Sequence, residues 1–96
     1  MKFIKNPRLL GITYNVELIP NLRANMGCSG MATPTDANIK IDDGMCSDMI
    51  NATEWHEFFE VCNSENQLDL THHQIQSLAT FTYQVINDNP EMFEND

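Results

Sequence analysis

The sequence predicts an α+β domain: a small three-stranded antiparallel sheet, at about residues 11–42, packed on two helices at about 47–63 and 71–88. Three observations lead there. Pro and Gly punctuate the first half and almost vanish from the second. Apolar residues alternate with polar ones before residue 42, and recur at helical spacing after it. The length, 96 residues, is room for one core only, so residues 1–96 are expected to form a single domain with flexible ends at 1–8 and 91–96.

Ile12 to Ile19 is rich in β-branched and aromatic residues and stops at Pro20, as a strand does. Residues 25–33 carry Gly27 and Gly30, which suit a bulged or edge strand. Turn chemistry follows from Pro34 to Asn38, and then Ile39 and Ile41 fall on one face of a cleanly alternating run. Residues 25–42 therefore read as a β-hairpin, and with the first strand they make the sheet. A sheet this small needs helices to cover it.

In the first helix Ala52, Trp55, Phe59 and Cys62 form an apolar stripe, with Ser47 as the expected N-cap and Asp48 in the favourable first turn. The second helix opens on a capping box, Thr71 followed three residues later by Gln74. Its stripe is Ile75, Leu78, Ala79, Thr82, Val85 and Ile86, and Pro90 prevents its continuation.

Charge narrows the functional classes. The formal net charge is -9, made of +3 in residues 1–40 and -12 in residues 41–96, where no Lys or Arg occurs. Direct binding to a phosphate backbone needs a basic face and is disfavoured. No apolar run reaches the ~18–20 residues that span a bilayer, and the N-terminus does not read as a secretory signal. Cys28, Cys46 and Cys62 are odd in number and widely spaced, which fits free thiols in a reducing cytoplasm.

All three histidines lie in the acidic half. His56 and Glu60 are four apart on the first helix, so an imidazole nitrogen and a carboxylate oxygen can share one divalent metal. Glu57, one position along, stands where zinc peptidases carry the general base. On the second helix His72 points with the core stripe toward the first helix, whereas His73 aligns with the polar residues Gln76, Ser77 and Thr80. If a histidine completes the set, it should be His72. The ordinary alternative is a hydrogen bond along one helix face and a polar residue in the first turn of the other. Trp55, Phe58 and Phe59 read most simply as core.

The order of parts resembles small phage proteins related to the ImmA/IrrE-type zinc metallopeptidases. The matching pieces are Ile39-Lys40-Ile41-Asp42, then Thr53 to Glu60, then His72 to Ala79, then Asn87-Asp88-Asn89-Pro90. The likeness runs from about Gly11 to Pro90, and order and spacing carry it rather than one motif. It implies a minimal zincin-like fold and zinc as cofactor, with His56 as ligand, Glu57 as base and a ligand near the start of the second helix, at His72. Glu60 replaces the second His of His-Glu-x-x-His, giving a His-Glu-x-x-Glu variant.

Two functions are expected from this reading. The first is a zincin-like metal-binding protein of phage origin, a degenerate or slow metal-dependent peptidase acting on peptides in the host cytoplasm. The second is a non-catalytic acidic protein that binds and blocks a basic surface of a host protein. The edge at residues 25–33 could also pair with a second copy of the chain or receive a peptide as an added strand.

Overall fold

The computed structural model describes residues 3–93. The fold is α+β, as expected, but the sheet is mixed. A two-stranded hairpin comes first, β1 (Arg8–Leu9) and β2 (Ile12–Thr13), closed by Leu10 and Gly11 at φ 52 and 81. Two positive φ values at the turn match the right-handed twist of the paired strands. The chain then enters β3 (Asn15–Ile19), so the single strand expected from Ile12 to Ile19 is broken at Tyr14, which turns into the core at 1% exposure.

A five-residue helix, α1 (Leu22–Met26), follows and was not expected from the sequence. Asn21 before it is left-handed and gives no side-chain cap. The cap arrives from 19 residues downstream: Asp42 Oδ2 accepts the Arg23 N–H at 2.8 Å and Oδ1 accepts the Gly44 N–H at 2.7 Å. The Arg23 amide, then the Gly44 amide, hold the Asp42 carboxyl below its ordinary range.

The hairpin expected over residues 25–42 forms as β4 (Gly30–Thr33), a 3-10 turn at Pro34–Asp36, and β5 (Asn38–Asp42). The strand order is β3-β5-β4, with β5 antiparallel to β4 but parallel to β3. The antiparallel sheet expected from the sequence is thus corrected at one of its two pairings. The reason lies in α1, which carries the chain past the place beside β3. The hairpin then returns Ile39 and Ile41, both fully buried, to the centre of the sheet beside Val16 and Leu18. Strand β4 takes the edge.

Helix α2 (Ser47–Asn66) covers the sheet, and α3 (His72–Asp88) packs on α2. The core joins Tyr14, Val16, Ile39 and Ile41 to Phe58 and Val61 of α2. The stripe expected on α2 is displaced, because the helix is covered on two sides. Asn51, Glu54, His56, Glu57, Phe58 and Val61 are its buried residues. Its N-cap is Cys46 rather than Ser47, with no side-chain bond. The α3 capping box is present in both halves: Gln74 N–H to Thr71 Oγ1 at 3.1 Å and Thr71 N–H to Gln74 Oε1 at 2.9 Å. Of its expected stripe only Ile75 and Ala79 are fully buried, joined by Tyr83, whose hydroxyl donates to Asp48 Oδ1 of α2 at 2.7 Å.

Ile4 N–H donates to Glu54, Lys5 O accepts from Val16 and Pro7 O from Tyr14, so residues 4–8 are bound to the domain. Pro90–Phe93 form a 3-10 turn. Residues 1–2 and 94–96 lie outside the described residues. Among the described residues, no helix is long and apolar enough to cross a membrane. The three cysteines are free.

Candidate metal centre

Helix α2 presents His56 and Glu60 one turn apart on the side that meets the start of α3. His56 Nε2 lies 3.5 Å from Glu60 Oε1. The His72 ring comes in from α3, with its centroid 4.8 Å from that of His56 and the planes tilted by 54°. One ligand atom from each of His56, Glu60 and His72 falls within 4.8 Å of the others. Zinc bonds of this type, near 2.1 Å, set tetrahedral ligands about 3.4 Å apart. The His56–Glu60 pair already has that spacing, and His72 is the exposed member of the three. Two imidazoles and one carboxylate are also a donor set found in catalytic zinc sites, where a water takes the fourth position. The residues therefore fit a divalent metal of the zinc class.

His73 stays away from this group. Gln76, expected on the polar face with His73, instead lines up with His72 and Thr80 toward α2, where its Oε1 is 2.7 Å from His56 Nδ1. The i, i+4 spacing of His72, Gln76 and Thr80 was the available signal.

Glu57 faces the sheet side of the same helix. It is 6% exposed, and burial first, then the nearby Glu60 carboxylate, pushes it up to about 7. Its neighbour across the gap is Gly30 at the start of β4. A Cβ at Gly30 would stand 2.9 Å from both Glu57 Oε2 and Thr53 Cγ2, so glycine permits β4 to approach α2 this closely. The sequence marked Gly30 as an edge-strand residue; its role is to admit the Glu57 carboxylate.

His56, Glu57 and His72 share one cleft of about 590 Å³, walled on the far side by Arg23 and the Gly27–Gly30 segment leading into β4. Glu60 sits outside the lining, on the rim. The cleft thus places a carboxyl with a raised pKa, two imidazoles and a strand edge together. Arg23, the cation of this wall, gave no sequence signal, because α1 itself was not foreseen.

No protein family, curated protein or solved structure matches the chain.

Proposed function

We propose that the chain is a zincin-like metal-binding protein, a degenerate and slow metal-dependent peptidase, with His56, Glu60 and His72 as ligands and Glu57 as general base. The observation that carries this reading is the convergence of the three ligand atoms within 4.8 Å, on two helices, beside a cleft holding a fourth ionisable group. The resemblance to small phage relatives of ImmA/IrrE-type zinc metallopeptidases supports the same assignment, and with it a host-cytoplasmic setting.

When bound, zinc supplies a Lewis acid that makes water a nucleophile at neutral pH and polarises a carbonyl. The protein residues do the rest. Glu57, held near pH 7, takes a proton from the attacking water on its carboxylate. It then returns that proton to the departing amine nitrogen as the C–N bond breaks. The edge of β4 lies beside the cleft and can align an extended peptide by main-chain hydrogen bonds. Glu60 in place of a histidine adds one negative charge to the ligand set, which leaves a formal +1 on a zinc centre. A water on such a centre would be less acidic than at an all-histidine site. Glu57→Gln should retain zinc at wild-type stoichiometry and abolish peptide hydrolysis. Hydrolysis that persists unchanged in this variant removes Glu57 from the mechanism.

A second reading, a non-catalytic acidic binder of a basic host protein, is favoured by the surface of the helical half. It carries no Lys or Arg, and Phe81 on α3 is 65% exposed. Full biological effect in a His56→Ala, Glu57→Gln double variant supports binding over catalysis, and loss of effect opposes it.

A further inference from the structure

We propose that Gln76 is the positioning residue of the metal centre, fixing His56 as the Nδ1–H tautomer so that its Nε2 lone pair faces Glu60 and His72. The inference rests on the reading of those three residues as a metal site, and adds to it a residue on the opposite helix.

The geometry is a short relay across the α2–α3 interface. His56 Nδ1 and Gln76 Oε1 are 2.7 Å apart, and Gln76 Nε2 donates to Thr80 Oγ1 at 3.1 Å. A carboxamide can offer either its oxygen or its NH₂ to an imidazole, and the choice decides the tautomer. Thr80 makes the choice. A hydroxyl inside a helix tends to give its own proton to the carbonyl one turn back, which leaves its oxygen as an acceptor. That acceptor engages the Gln76 NH₂ and turns the amide oxygen toward His56. Nδ1 must then carry the proton.

The consequence appears at the other ring nitrogen. With Nδ1–H committed to Gln76, neutral His56 points a lone pair at the Glu60 carboxylate across 3.5 Å. In the neutral form two acceptors face each other, an arrangement that either a proton on Nε2 or a metal ion between them satisfies. The His56 side chain is 11% exposed and that of Glu60 36%. A second partner of this kind orients a ligating imidazole and raises its basicity, and its loss commonly lowers metal affinity about 10–100-fold.

The test uses the full chain labelled with ¹⁵N on histidine, metal-free, at alkaline pH. The expected spectrum has the His56 proton on Nδ1 in the wild type. In Gln76→Leu the proton moves to Nε2, and zinc affinity falls about 10–100-fold with thermal stability of the metal-free chain unchanged. Gln76→Glu, whose carboxylate can only accept, keeps the proton on Nδ1 and restores zinc binding. A wild-type spectrum with the proton on Nε2 overturns the proposal, as does undiminished zinc affinity in Gln76→Leu. Failure of the wild type to bind zinc overturns the metal reading instead, and is told apart because the tautomer measurement needs no metal.

Discussion

Glu54 carries its carboxylate into the interior at 1% exposure, with Oε1 accepting the Ile4 N–H at 3.0 Å and Oε2 without a partner among the described residues. Burial outweighs that bond and pushes it up to about 7. A carboxyl raised above its unfolded value stabilises the fold fully below that value and loses the contribution as pH rises through about 7. The shift from 4.5 corresponds to about 3 kcal/mol of stability lost between the two ends of the range. Glu57 acts in the same direction in the metal-free chain. Asp42 acts in the opposite one: its lowered carboxyl withdraws stability only as pH falls through its folded pKa. Chemical denaturation of the metal-free protein should therefore show stability declining from about pH 5 to pH 8. Glu54→Gln keeps an acceptor for Ile4 and should flatten the decline by about 3 kcal/mol. An unchanged slope would show that Glu54 is not the buried acid responsible. At this scale the convergence of His56, Glu60 and His72 was legible because the i, i+4 pair and the helix-start histidine are local patterns. Gln76 shares the i, i+4 row of His72 and Thr80, but its partner lies on another helix, and that row gains meaning only once the rotation of α3 against α2 is known.

At the scale of elements, legibility follows the range of the interaction that defines the element. The capping box joins Thr71 to Gln74 across three residues, and it was readable. Helix α1 depends on Asp42, 19 residues away, and it was not. The strand order escaped for the same reason, since it is set by where α1 delivers the hairpin. Helix α2 was found nearly at its observed bounds, but its buried face was misplaced. A helix covered by a sheet on one side and a helix on the other has no single apolar stripe. The capping box also bears on function, because His72 is the first residue after the cap. Thr71→Ala removes the acceptor for Gln74 N–H and should cost about 1 kcal/mol by thermal or chemical denaturation. Thr71→Ser keeps the acceptor and should be near neutral. Equal losses in the two variants would place the effect in the methyl group instead.

Across the whole molecule, the charge of -9 separates into three populations. Asp42, Glu54 and Glu57 are buried, and each plays a different part: Asp42 caps α1, Glu54 anchors the N-terminal segment, and Glu57 faces the cleft. Glu60 stands on the rim, between His56 and solvent. The remaining acids give the helical half its uniform sign. Composition alone made this one property of 41–96. The fold shows that part of it lies inside, and that of the three buried acids Glu57 lines the cleft with His56, His72 and Arg23. A metal bound at the proposed centre would stabilise the folded chain by mass action, as any ligand specific to it does.

Zinc titration of the metal-free chain against a competing chelator decides whether His56, Glu60 and His72 form one metal centre. The expected result is one zinc per chain, lost or severely weakened in His56→Ala, Glu60→Ala and His72→Ala, and retained in His73→Ala. A wild-type chain that takes up no zinc, or binding indifferent to all three ligand substitutions, would contradict it.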